Sequence, residues 1–363
     1  MSRAPRTRST AFRKTTDMTS INTTRAAALF ALTTLCAGMA NAASWNTCNG
    51  NNQRWNSGWT NMYISTTSFP AGSAWDQRLQ NAMWHWNNVG GAGFNFYVGR
   101  DTDGSHSSSN GTNEVYMTGT EDGSALAVTF SRSHCYWLFG TQNGLDEADV
   151  SFNANYAWSL NPIDYNNPSG SPYNFEQVAL HELGHALGLN HEDRWMATMN
   201  SIYPNSGSLG YYKEVDPVAD DRWGVRQLYW DGTGETDVAG SAYKHTGSGT
   251  SGLVSSPSYA ARGSSVTIEY TFSNQGTATQ SFDIGFYLST NDYISTGDTL
   301  LGMNYGAWAG SGVQATYSRT LTIPSWVAPG YYTLGFLLDP NGTVGENNEG
   351  NNNQPMPRTI YVY

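Results

Sequence analysis

The chain has 363 residues, enough for about two domains, and its 18 Lys and Arg against 29 Asp and Glu give a formal net charge of −11. So acidic a chain repels phosphate backbones and anionic lipid, which excludes nucleic acid and charged membranes as its partners. With 39 glycines, 13 tryptophans, 22 tyrosines and only 13% charged residues, it reads as polar, aromatic-rich, full of turns and of an extracellular kind.

Six of the basic residues, Arg3, Arg6, Arg8, Arg13, Lys14 and Arg25, precede an apolar run over 26–40 that ends in Ala40-Asn41-Ala42. A basic region, a short apolar core and a small-x-small cleavage site predict a secretory signal over 1–42, cleaved near Ala42, with Met18 as an alternative start. The run is too short and too Thr-rich to stay in a bilayer as an anchor. A lipoprotein reading through Cys36 meets an unfavourably large Leu35 before it. Two cysteines remain after residue 42, and an oxidising compartment predicts a Cys48–Cys135 disulfide.

From Trp55 the pattern is that of a compact domain. Strands are predicted at 62–64, 94–98, 113–117, 125–131 and 149–153, each bounded by Gly, Asp or Ser turns. Between the first two, Ser73 and Asp76 cap a predicted helix whose Trp75, Leu79, Ala82, Met83 and Trp86 share one face. The loop Asp101-Thr102-Asp103-Gly104 and the cluster Asp146, Glu147 and Asp149 offer oxygen ligands for calcium, with solvated turns as the competing reading.

Asn174 and Gln177 cap a second helix, packed through Val178, Leu180, Leu183 and Leu187. On it His181 and His185, four residues apart, lie one above the other and can offer two imidazole nitrogens to one metal ion. Gly188 can take the left-handed conformation that ends a helix, so that His191 returns as a third ligand. Three neutral imidazoles suit zinc, with the fourth position open to water. Glu182, beside the first ligand, is placed to take a proton from that water and pass it to a leaving amine. The competing readings are a core helix with satisfied histidines and a closed structural zinc site.

The set His181, Glu182, His185, Gly188 and His191 resembles the long zinc signature of the metzincin metallopeptidases, and the sequence after it resembles their matrixin branch. The resemblance implies a zinc endopeptidase. It implies that Met199, eight residues after His191, lies in a tight turn beneath the metal, with Met196 as the alternative. Ser201 stands where astacins and serralysins place a tyrosine ligand, and Tyr203 matches the tyrosine that walls the substrate pocket in matrixins, without their intervening proline. One edge strand is implied to run antiparallel along the cleft, where an extended substrate adds as a further strand. Asp103, His106 and His134 lack the spacing of the matrixin structural zinc, and none is assigned there. By the same resemblance Cys48 has an alternative role as an inhibitory zinc thiolate, although residues 45–50 lack the family's latency motif.

A third helix is predicted to open at Asp216-Pro217. Its Asp220-Asp221, Gly224 and Leu228-Tyr229 resemble the matrixin helix whose acids anchor the methionine turn.

Residues 236–256 are Gly, Ser and Thr-rich and predict a flexible linker. Beyond it Val266, Ile268, Tyr270 and Phe272, then Phe282, Ile284, Phe286 and Leu288, then Tyr332, Leu334, Phe336 and Leu338 alternate with polar residues, predicting an antiparallel β-sandwich. Residues 286–289, 297–302, 329–332 and 346–352 resemble the bacterial cell-adhesion-related (CARDB-like) immunoglobulin-like domain.

The expected fold is α+β: a metzincin-like catalytic domain over 43–235, a twisted mixed sheet plus the zinc-site helix, then the linker and an antiparallel β-sandwich over 257–363. The expected protein is a secreted, monomeric zinc endopeptidase with one catalytic Zn2+, acting on protein or peptide and using the sandwich to bind a cell-surface or matrix ligand. The alternative is a surface adhesin on a degenerate peptidase scaffold.

Overall fold

The computed structural model describes residues 7–8, 43–119, 124–136, 142–162, 171–204, 215–247 and 249–363. The secretory signal expected over 1–42 lies, apart from residues 7–8, outside them. Among the described residues no helix is long and apolar enough to cross a membrane.

The N-terminal part is built on a mixed sheet of β1 (Trp59–Ser65), β2 (Asn95–Asp101), β3 (Glu114–Thr118), β4 (Ala127–Tyr136) and β5 (Gln142–Asn153). Their spatial order is β4-β5-β3-β1-β2, with a two-residue strand, Thr7–Arg8, outside β4. Every pairing in the series β5-β3-β1-β2 is parallel, whereas β4 runs antiparallel to β5. The antiparallel strand whose identity the sequence left open is therefore β4, which runs past the expected 125–131 as far as Tyr136 and is bordered on its outer side, among the described residues, only by the two-residue strand Thr7–Arg8.

Helix α1 (Ala74–Asn87) starts as expected: Ser73 Oγ accepts from Asp76 N at 3.3 Å, and Asp76 reaches back to Gly72 N at 2.8 Å. Its Leu79, Ala82, Met83 and Trp86 are buried, and Trp86 Nε1 donates to Leu180 O of helix α2 (Phe175–Leu187) at 2.9 Å. All 13 residues of α2 are buried, so this helix is the core element on which the sheet and α1 converge. Asn174 Oδ1 accepts from Gln177 N at its start, and Gly188, at φ +120°, ends it. A Cβ at Gly188 would also lie 3.2 Å from Gln53 O, so geometry and space both select glycine.

Helix α3 (Ala219–Tyr229) begins later than the sequence predicts. Asp216 is drawn away from the helix by Arg222 at 2.5 Å and His85 at 3.1 Å, and Asp221 accepts from Val218 N in its place. Ser44 and Trp45 also pack here. Ser44–Trp45 pairs antiparallel with Leu189–Asn190, and Trp45 lies against Trp223. The expected disulfide joins Cys48 to Cys135, tying the strand pair Thr47–Cys48 and Asn51–Asn52 to β4; Cys48 is thus not available as a zinc thiolate.

The linker expectation is corrected. Residues 236–256 hold β6 (Val238–Ser241) and a hairpin of β7 (Tyr243–Gly247) and β8 (Thr250–Leu253). Their Gly, Ser and Thr content left little apolar periodicity to read, yet their backbones pair and their few apolar side chains are placed. Ala242 and Tyr243 are buried in the core of the N-terminal part. Gly249 N donates to Asp193 O at 3.0 Å, Ile202 N to Gly249 O at 3.1 Å, and Ser251 Oγ to Asn200 Oδ1 at 2.7 Å.

The C-terminal part is the expected sandwich. Antiparallel β6, β9 (Ser265–Asn274) and β12 (Gln314–Thr322) form one sheet. The other carries β10 (Gln280–Ser289), β11 (Thr299–Ala309), β13 (Gly330–Leu338) and β14 (Asn353–Val362), with Tyr259–Ala260 added in parallel to β14. Ile268, Tyr270 and Phe272 face Phe286, Leu334 and Phe336 across it, and Tyr270 and Phe286 meet edge to face at 4.9 Å. Gln314 Nε2 reaches Met196 O in the N-terminal part, and Arg226 donates to Gly276 O and Gln275 O of the sandwich.

Candidate metal centre

Helix α2 places His181 and His185 one turn apart, and the turn at Gly188 returns His191 to them, so the three imidazoles present nitrogens within 4.8 Å of one another. Two ring orientations are fixed from behind. His181 Nδ1 donates to Thr198 O at 2.7 Å and His185 Nδ1 to Leu189 O at 2.8 Å, leaving each Nε2 as a lone pair facing the centre. His185 Nε2 is buried without a hydrogen-bond partner among the described residues. His181 Nε2 and His191 Nε2 lie 3.2 Å apart, close to the ~3.3 Å between two ligands of a tetrahedral ion with bonds of about 2.0 Å.

Burial, reinforced by the neighbouring imidazoles, holds His181 and His185 well below the usual histidine range, and burial takes His191 down to about 4. All three are neutral at pH 7, the form that ligates metal. Buried lone pairs aimed at one another are costly unless a cation lies between them, so the donor set fits zinc.

Glu182 is buried next to the cluster. Its Oε2 accepts from Thr129 Oγ1 of β4 at 2.6 Å, and the same hydroxyl lies 3.0 Å from Glu182 O, while Oε1 is buried without a partner among the described residues. Burial pushes the carboxyl up to about 8, the Thr129 hydrogen bond acting in the opposite sense. A cation beside it favours the ionised form. Thr129 is a contact the sequence did not reveal, because alternation along a strand says which face a residue occupies and not which helix residue it meets.

The turn carrying Met199 packs against helix α2. Met199 is buried, and a Cβ at Gly184, directly before His185, would come within 2.4 Å of Met199 Sδ. Asp221 of α3 accepts from Thr198 N at 2.7 Å and Met199 N at 3.1 Å, so α3 holds the peptide whose carbonyl orients His181. Met196 is also buried, but its carbonyl faces Gln314 of the sandwich. Tyr203 is buried, its ring edge-on to Tyr173 at 5.2 Å and its hydroxyl 3.3 Å from Asn174 N at the start of α2.

Four of the acids named for calcium serve internal partners. Glu147 accepts from Asn110 N, Gly111 N and Arg132; Asp149 accepts from Glu114 N; Asp146 pairs with His134 at 2.7 Å; Asp103 accepts from Ser105. These contacts give no support to a calcium site.

Three histidines fixed from behind beside a buried carboxylate form a donor set that could hold a divalent metal ion. Residues 65–230 match the sequence profile of the family described as Matrixin, and residues 252–355 that of CARDB: the chain carries a matrixin domain followed by a CARDB domain. The matrixin family implies a zinc metallopeptidase. Matrix metalloproteinase-2 of Drosophila melanogaster is 39% identical over 81 residues, covering 22% of this chain and 10% of that protein. The matched segment thus spans only about a tenth of the length of that relative. Among solved structures, the CARDB domain of the PF1109 protein from Pyrococcus furiosus, in complex with di-metal ions, matches 36% of this chain and 90% of its own at 17% identity and a TM-score of 0.26. A beta-glucosidase from Listeria innocua matches 36% of this chain and 16% of its own at 16% identity and a TM-score of 0.23.

Proposed function

We propose that this protein is a secreted zinc-dependent endopeptidase of α+β, metzincin-like architecture, with His181, His185 and His191 as ligands and Glu182 as the general base and acid. The observation that carries the reading is the convergence of three buried imidazoles, two with their outer nitrogens spent on Thr198 O and Leu189 O, next to a partnerless Glu182 Oε1. Zinc held there supplies Lewis acidity toward the scissile carbonyl and lowers the pKa of water.

The chain's own residues do the rest. Glu182 Oε1 accepts the proton of the attacking water and returns it to the leaving amine, while Thr129 keeps Oε2 in place. The antiparallel strand β4, bordered on its outer side by Thr7–Arg8 of the segment expected to be cleaved, offers an extended peptide a backbone to pair with, beside the helix that carries the ligands. Met199 supports the histidines from below, and Tyr203, packed at the start of α2, belongs to the wall of the substrate pocket.

Secretion follows from the signal read over 1–42 and agrees with a disulfide between Cys48 and Cys135. The sandwich serves as a binding domain for a surface or matrix ligand. Exposed tyrosines Tyr259, Tyr331 and Tyr361 stand on adjacent strands, the last two with rings 5.0 Å apart. Digestion of casein with and without a zinc chelator, followed by mapping of the cleaved bonds, tests the proposal. Chelator-reversible cleavage at internal bonds is expected, and chelator-insensitive or absent cleavage by zinc-loaded protein overturns it.

A further inference from the structure

A second group of donors lies away from the three histidines. Asp101 ends β2 and Glu114 opens β3, and both strands flank β1 in parallel, at Ser65 and Tyr63 respectively. The connection between them crosses the end of β1 and brings His106 down to the same point. One carboxylate oxygen from Asp101, one from Glu114 and a ring nitrogen of His106 all lie within 4.8 Å of one another.

Three features show that these donors lack a counterpart. His106 is stacked on Tyr116, with centroids 4.1 Å apart and planes 6° apart, so its ring is held rather than free to turn away. Its Nδ1 faces Asp101 Oδ2 at 3.6 Å, too long for a hydrogen bond and near the ~3.3 Å separating two ligands of a zinc ion. Both of these atoms are buried, and neither has a hydrogen-bond partner among the described residues. The remaining polar atoms shape the pocket: Asp103 N donates to Asp101 Oδ1 at 3.0 Å, Ser107 N to Glu114 Oε2 at 2.9 Å and Asn110 Nδ2 to Glu114 Oε1 at 3.3 Å. A carboxylate oxygen that accepts one hydrogen bond keeps a lone pair for a metal.

We infer that Asp101, His106 and Glu114 form a second divalent-cation site, of the zinc class, that pins the β2–β3 connection to the sheet. One imidazole with two carboxylates suits zinc and its first-row neighbours, whereas calcium takes oxygen ligands alone. The site differs from a grouping of Asp103, His106 and His134, since His134 is engaged by Asp146 at 2.7 Å and Asp103 by Ser105. It is independent of the proposed peptidase chemistry.

The test is zinc stoichiometry in the full chain, stripped of metal and titrated with zinc sulfate by calorimetry, with bound zinc counted by elemental analysis. Wild type is expected to take up two equivalents. His106→Ala is expected to take up one, and His181→Ala/His185→Ala to keep one that His106→Ala then removes. Should His106→Ala fail to fold by circular dichroism, Asp101→Asn reads the same site through at least a tenfold weaker affinity for the second equivalent. A single equivalent in wild type, or a second one indifferent to both His106→Ala and Asp101→Asn, overturns the inference.

Discussion

Tyr243→Ala in the full chain separates a catalytic part that ends near residue 235 from one completed by the hairpin after it. Tyr243 is 1% exposed and lies in the same core cluster as Trp55, Leu187 and Met199, although it comes after β6, the first strand of the sandwich sheet. Truncating a buried aromatic ring costs about 3–5 kcal/mol, and the hairpin can settle partly into the space, so about 3 kcal/mol is expected. With a urea dependence of about 2 kcal/mol per molar, the midpoint moves down by roughly 1.5 M. All tryptophans except Trp308 and Trp326 lie at or before Trp230, so tryptophan fluorescence follows the N-terminal part. The loss should appear in that transition, with faster escape of zinc, because the hairpin also holds Asp193, Asn200 and Ile202 of the turn after His191. A midpoint shift below about 0.3 M, or one confined to the sandwich, refutes the reasoning.

Replacing both Cys48 and Cys135 by serine releases a closure across 87 residues and is expected to cost about 2–4 kcal/mol in urea unfolding, without change in zinc affinity. Thr129→Val removes the hydroxyl that holds Glu182 Oε2 and should lower kcat roughly tenfold at unchanged zinc content, as read on a short fluorogenic peptide. Burial raises Asp237 to about 8 and Glu346 to about 7, both at one end of the sandwich. An acid whose folded pKa lies above its unfolded value holds its proton in the folded state, so stability is greatest below about pH 4 for these groups and falls as pH rises to about 8. Asp237→Asn should flatten that slope in urea titrations between pH 5 and 9.

What was legible in the sequence was local. The spacing of His181 and His185 is fixed by one helical turn, Gly188 by a backbone angle, and the sandwich strands by alternation, and each stands where it was read. The identity of β4 as the antiparallel strand depends on the order of the strands, which no single strand encodes. Residues 236–256 misled because backbone pairing needs no apolar pattern, and one Tyr243 beside Ala242 is too little to register as a period. Asp101 and Glu114 are thirteen positions apart, and only the parallel pairing of β2 and β3 on either side of β1 brings them together.

The most direct test of the central claim is Glu182→Gln, assayed for bound zinc and for peptide hydrolysis on the same preparation. The amide can still accept from Thr129 Oγ1 and leaves the three histidines untouched, so the account predicts full zinc occupancy with turnover reduced by about a thousandfold. Near wild-type turnover in a zinc-loaded Glu182→Gln protein would contradict it.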